Sequence, residues 1–183
     1  LGEEVVEMAG VRRGIQMLDV AAGSGALSLA AGRRGAHVLA TDISPLMVER
    51  LLARARAEGL ANLATRAMDG HALDLDDESF DLTASQNGVS LFPDVARGLA
   101  EMVRVTRAGG RVVIVCFGSI RDAELLTFFT GAIRALVPAL VTRSAARAMP
   151  RESASSPRIR CSAATEPCWR AAILVARLIG RSM

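Results

Sequence analysis

Asp19, Gly23, Gly25 and Asp42 are the residues whose types and spacing first point to chemistry. Asp19 lies inside a short apolar run, Ile15-Gln16-Met17-Leu18-Asp19-Val20. A small-residue turn follows, Ala21-Ala22-Gly23-Ser24-Gly25, where bare backbone can approach a ligand closely. Asp42 ends a second apolar run, His37-Val38-Leu39-Ala40-Thr41. A strand, Gly turn, helix, strand and acid in that order hold a nucleotide-like ligand over the strand ends, with the acid on a ribose diol. The chemistry on offer is therefore the binding of such a ligand.

The elements that must position these residues follow from pattern. Ile15–Val20 reads as a buried strand and Ala26–Arg33 as a helix, with Gly35 just past its end. Ser44 reads as an N-cap and Pro45 as the first helical residue of an amphipathic helix reaching Glu58. Leu60–Met68 can supply a third strand. Asp94 reads as the N-cap of a helix over Val95–Thr106. Arg111–Phe117 is almost continuously apolar, the mark of a strand buried on both faces. Leu1–Ala9 and Asp122–Val137 have helical composition, the latter stopped by Pro138. The fold expected is α/β, a Rossmann-like doubly wound parallel sheet in the order 3-2-1-4-5.

Composition removes several alternatives. All 22 basic residues are Arg, and Tyr is absent. A Schiff-base lysine, a Tyr–Lys dehydrogenase pair and a lysine-dependent phosphate loop are thereby excluded. Three unevenly placed cysteines do not make a disulfide framework, and none has a partner at metal-ligand spacing. Aromatics at 3% are too few for base stacking, so no nucleic-acid partner is expected. No apolar run reaches the ~20 residues of a membrane span, no secretory leader is read, and the cytoplasm is the expected location. The net charge of +3 is asymmetric. Residues 141–183 hold eight Arg against Glu152 and Glu166, or +6, which leaves −3 for residues 1–140.

With these residues in view, the chain resembles the class I S-adenosylmethionine-dependent methyltransferases, in the branch related to ubiquinone and menaquinone biosynthesis. Leu18-Asp19-Val20-Ala21-Ala22-Gly23-Ser24-Gly25 is similar to the L-D-x-G-x-G-x-G of that branch, with Ala21 in place of its first Gly. Val38 to Asp42, Ser44 and Met47 are similar to its V-x-x-x-D-x-S-x-x-M. Asp69-Gly70-His71 stands where the branch has an acid that accepts from the adenine amino group, although an Asx turn would give the same residues. Phe80-Asp81 resembles the start of the fourth strand, and Glu101-to-Gly110 the E-x-x-R-V-L-x-P-G-G before the fifth. Glu101 and Arg104, three apart on a helix, read as a structural pair. The resemblance implies a cofactor site made of Asp19, Ala21, Gly23, Gly25, Asp42, Ile43, Met47, Asp69, Gly70, His71, Ser85 and Gln86. It implies S-adenosylmethionine as cofactor, a small-molecule methyl acceptor and no metal.

No catalytic residue is assigned, because a sulfonium methyl is already activated and in-line positioning does most of the work. His71 reads as lining the adenine side, His37 as structural and Cys116 as core. Rival readings are a cofactor-binding but inactive or truncated domain, and a nicotinamide oxidoreductase. The missing Tyr and Lys, with the Phe80-Asp81 and Glu101-to-Gly110 matches, argue against the last.

The resemblance ends near residue 137, giving a cofactor domain over 1–140 and a divergent basic tail over 141–183. The tail reads as partly disordered. Arg170, Arg177 and Arg181 fall on one stripe of a short helix expected over 169–181. That tail is either a divergent terminus or a basic helix for a membrane surface or partner. No later strand is read, so the closing antiparallel strands of the family are expected to be missing. The fifth strand is then an open edge through which copies could associate.

Overall fold

The computed structural model describes residues 1–117 and 171–177. The chain divides into two units, Leu1–Cys116 with Ile173–Met183, and Phe117–Ala172. The first unit carries the sheet and the helices around it.

Apolar runs of five to seven residues alternate with helical stretches, so the chain winds as strand, helix, strand. The elements are α1 (Gly2–Met8), β1 (Gln16–Val20), α2 (Ala26–Arg33), β2 (His37–Asp42), α3 (Pro45–Ala57), β3 (Leu63–Ala67), β4 (Phe80–Gln86), a 3-10 turn (Val89–Leu91), α4 (Val95–Val105), β5 (Thr106–Phe117) and β6 (Ala171–Arg177). Strands β1 to β5 lie in the order 3-2-1-4-5 and pair in parallel, so the expected Rossmann-like sheet is present.

The helices cover the sheet because alternate strand residues point to opposite faces. Leu18 and Val20 of β1 pack with Met102 and Val105 of α4 and with Val112 and Ile114 of β5. The alternate residues Met17 and Asp19 face the other way and are also buried. There Ser28 of α2 meets Asp19. Helix α1 packs on α2, with Gly2 close against Ala26, and its Val5 and Val6 are fully buried.

One local expectation holds in position but not in its side-chain bond, and one is revised. Ser44 is the N-cap residue of α3, yet its side chain makes no capping bond. The Ser44 backbone N–H donates to the Asp42 carboxylate, at 2.9 Å. The fifth strand also starts earlier than Arg111. Register passes from Phe80–Thr106 to Leu82–Arg111, so Arg107 to Gly110 bulge out between them. Gly109, at φ +77, permits that bulge.

The tail differs more. Residues 171–177 are a strand beside β5, not part of a helix over 169–181. The sheet therefore has a sixth strand where the closing strands were expected to be missing. The edge of β5 expected to be open is occupied by β6, which removes that reason for association between copies. The physical cause is legible afterwards. Ala171-Ala172-Ile173-Leu174-Val175-Ala176 is a short apolar run with β-branched Ile173 and Val175. Periodicity cannot separate such a run from a helix, and the unpaired N–H and C=O groups of β5 offered it a partner. The expected helix over Asp122–Val137, the boundary at 140 and the disorder of the tail lie outside the described residues.

Candidate functional site

Parallel strands bring their carboxyl ends to one edge, and the turns after β1, β2 and β4 meet there. Asp19 is 1% exposed. Its Oδ2 accepts from Ser28 Oγ at 2.5 Å, while Oδ1 is buried with no partner. Burial, and to a lesser degree the Asp42 charge, push its carboxyl up to about 7. Asp42 ends β2 and ties the two turns together. Its Oδ2 accepts from the Gly23 N–H at 2.8 Å and its Oδ1 from the Ser44 N–H. Each oxygen keeps a lone pair, so a diol can still be received.

The two glycines of the turn serve different ends. Gly23 has φ +56, and a Cβ there would meet nothing within 4 Å. Gly25 has φ +89, and a Cβ there would clash with Leu51 Cδ1 of α3. Gly23 opens onto free space, whereas Gly25 lets α3 pack. Ala21 holds φ +56 despite its methyl group. A Cβ on Gly88, in the loop after β4, would collide with that methyl. The two turns thus touch through Ala21 and a bare Gly88.

Ile43 is 72% exposed and Met47 half-buried beside this edge. Across it, Asp69 Oδ1 accepts from the His71 backbone N–H at 2.9 Å and lies 2.9 Å from His71 Nδ1. The backbone bond, then the ring contact, hold the Asp69 carboxyl below its usual range. His71 Nε2 meets the Asp94 N–H at 3.4 Å, and its ring stands 4.6 Å from that of Phe92. Phe92 also covers Gly70, where a Cβ would run into its ring. Both His71 nitrogens therefore have partners, which suits a positioning role and not a proton acceptor.

Ser85 is fully buried, and its Oγ accepts from the Val89 N–H at 3.0 Å, so its side chain builds the loop. Gln86 Oε1 and Asn87 Oδ1 are buried without partners. Among the described residues four buried side-chain polar atoms lack a partner, and three of them (Asp19 Oδ1, Gln86 Oε1, Asn87 Oδ1) end the neighbouring strands β1 and β4. Asn87 was not among the residues expected at the site. Its φ of +63 puts it in the left-handed region, and the Asn-Gly pair at 87–88 was the available signal. Among the described residues no three His, Cys, Asp or Glu side chains gather as a metal site, and no helix is long and apolar enough to cross a membrane.

Residues 18–114, which hold all of these groups, match the family described as a methyltransferase domain. The chain belongs to that family. The methyltransferase domain is also similar to an uncharacterised protein of Mycobacterium tuberculosis, 41% identical over 115 residues, covering 63% of this chain and 42% of the relative. A demethylmenaquinone methyltransferase of Clavibacter sepedonicus is 34% identical over 128 residues, covering 70% of this chain and 51% of the relative. The chain thus spans about half the length of the curated relatives it matches. Among solved structures, a putative S-adenosyl-L-methionine-dependent methyltransferase of Methanococcus maripaludis matches with a TM-score of 0.58 and 25% identity, over 79% of this chain and 65% of that one.

Proposed function

We propose that this methyltransferase domain binds S-adenosylmethionine and places its methyl group against a small-molecule acceptor. The observation that carries the reading is the set of acceptors left open around the β1 turn. Asp19 Oδ1, Gln86 Oε1 and Asn87 Oδ1 have no internal donors, beside a Gly23 that is open on its free side. A ligand rich in N–H groups and positive charge suits them.

When bound, S-adenosylmethionine supplies a methyl carbon activated by its sulfonium, open to in-line displacement. Asp42 accepts from the ribose hydroxyls while keeping Gly23 in place. Ile43 and Met47 pack against the adenine, and Asp69, whose Oδ2 is not otherwise engaged, accepts from its amino group. Ala21, Gly23 and Gly25 shape the turn under the amino acid part, with Asp19 beneath. Gly70, His71 and Phe92 form the wall next to Asp69, and Ser85 fixes the loop that carries Gln86 to the acceptor side. No base is assigned among these residues. A second reading, binding without transfer, is favoured by the engagement of both His71 nitrogens.

Calorimetry with S-adenosylmethionine tests the reading. Bonds from Asp42 to a ligand are charge-assisted, about 1.5–3 kcal/mol each. Asp42→Ala also frees the Gly23 and Ser44 N–H groups, which acts in the same direction. Affinity should fall at least tenfold while far-ultraviolet circular dichroism is kept. Wild-type affinity in Asp42→Ala would remove the assignment.

A further inference from the structure

Asp19 is an unusual group to bury. Ser28 of α2 answers it through its Oγ, on Oδ2, and through its backbone N–H, both of which favour the charged form, while Oδ1 has no partner. Its register partners, Ala40 on β2 and Ala84 on β4, bring no polar side chain. The charged group that acts on it is another acid, Asp42 at the end of β2. Arg54 of α3 reaches only the outer side of the turn, where its Nη1 donates to Ser24 O at 2.6 Å. So, among the described residues, a buried carboxylate has Ser28 as its donor, a like charge nearby and no compensating cation. Such a site disfavours the charged form.

We infer that Asp19 is a proton-exchange site linked to cofactor binding, losing its proton when a cationic ligand seats on the Gly23 turn. The inference rests on the function proposed above. In the free domain the burial of Asp19 and the unpartnered Oδ1 favour its protonated form, and its carboxyl is pushed up to about 7. The α-ammonium of the ligand supplies the missing positive charge and favours the carboxylate. Because each event favours the other, binding tightens as pH rises through that range, and protons appear in solution.

The test is titration calorimetry at pH 7 in phosphate and in Tris, whose ionisation heats differ. The probes are S-adenosylmethionine, S-adenosylhomocysteine, which keeps the ammonium, and 5′-methylthioadenosine, which lacks it. About half a proton should be released with each of the first two, and almost none with the third. Affinity for S-adenosylhomocysteine should rise about tenfold from pH 5.5 to 7. His71→Gln, which removes the imidazole beside Asp69, should keep this dependence. Asp19→Asn should lose it. Binding with no proton release from the wild-type chain overturns the inference and leaves the function standing. Equal release with 5′-methylthioadenosine overturns it too. No binding of any probe overturns both.

Discussion

The turn after β1 and the connection from Leu73 to Ser79 are both polar stretches at the margin of the same sheet, and they are finished differently. In the connection almost every group is answered from within. Glu101 Oε2 accepts from the Leu73 N–H at 2.8 Å, and Arg104 donates to Leu73 O, Leu75 O, Asp77 and Glu101. Arg104 in turn holds the Glu101 carboxyl below its usual range. Ser79 Oγ donates to Asp76 O, and Arg66 pairs with Asp74. The pair read from sequence at 101 and 104 is therefore the clamp of a connection that has no helix of its own. In the β1 turn the corresponding groups are left open, with a buried acceptor on Asp19 and bare backbone at Gly23. The connection keeps one unpartnered buried atom beside it, Arg107 Nε, whose guanidinium still pairs with Asp81 and donates to Ser79 O, whereas the three at the ends of β1 and β4 are acceptors grouped around the turn proposed to hold the ligand.

The contrast breaks if damage to the clamp hurts binding as much as stability. Arg104→Met removes the donor from two carbonyls and leaves Glu101 half-buried and uncompensated. The loss should be about 3 kcal/mol, from hydrogen bonds to charged groups and the stranded acid. In a chain of this size that is roughly 6–12 °C in melting temperature. S-adenosylmethionine affinity in the folded fraction should stay within about threefold. A drop in affinity of tenfold or more would merge the two regions.

Gly23→Ala should show the reverse. A left-handed alanine costs roughly 1–2 kcal/mol, or about 2–8 °C. The new methyl points into open space, so packing is unharmed, but it stands where the ligand approaches. Affinity should fall at least about tenfold. Gly25→Ala serves as the control, since its methyl would strike Leu51 and lower stability first. If Gly23→Ala binds normally, the turn is only a connection.

A pH series sharpens the comparison at Asp19. Its folded-state carboxyl lies above the ordinary value, so the folded state takes up a proton that the unfolded chain has already lost. Stability from this group is present below about pH 4 and declines as pH rises towards 7. Asp19→Asn removes the titration. Its melting temperature should match the wild type near pH 4.5 and exceed it by several degrees at pH 8, while ligand binding weakens. Parallel melting curves from pH 4.5 to 8 would show that the Asp19 charge is not strained.

Much of this was legible because the parallel strands are short apolar runs with few ambiguities. The Gly turn, Asp42 and the Glu101–Arg104 pair announce themselves by type and spacing. Other features depend on tertiary partners that no local pattern carries. Ser44 is the cap residue that its type announces, but that its hydroxyl makes no capping bond is visible only in the structure. His71 looks available until Asp69 and Asp94 are found on its two nitrogens. Residues 171–177 were decided by the edge of β5, and the stripe of arginines misled. Asn87 went unread because its significance is a backbone angle and a missing donor.

Ala21 gives the smallest and most pointed test, since it is where the turn departs from the pattern it resembles. Its methyl sits at φ +56, a conformation that costs a non-glycine roughly 1 kcal/mol. Ala21→Gly relieves that strain but adds about 0.5–1 kcal/mol of chain entropy to the unfolded state. The two nearly cancel, so the melting temperature should move by less than about 3 °C. The methyl is seated towards Gly88, on the side of the β4 loop, and Gly23 keeps the ligand side clear. Affinity for S-adenosylmethionine should therefore change by less than about threefold. Gly88→Ala, which drives a Cβ against that methyl and the Ala21 carbonyl, should shift the loop and weaken binding more. A tenfold gain in Ala21→Gly would mean that the methyl intrudes on the ligand, and the open side of the turn would then lie at Ala21 as well as Gly23.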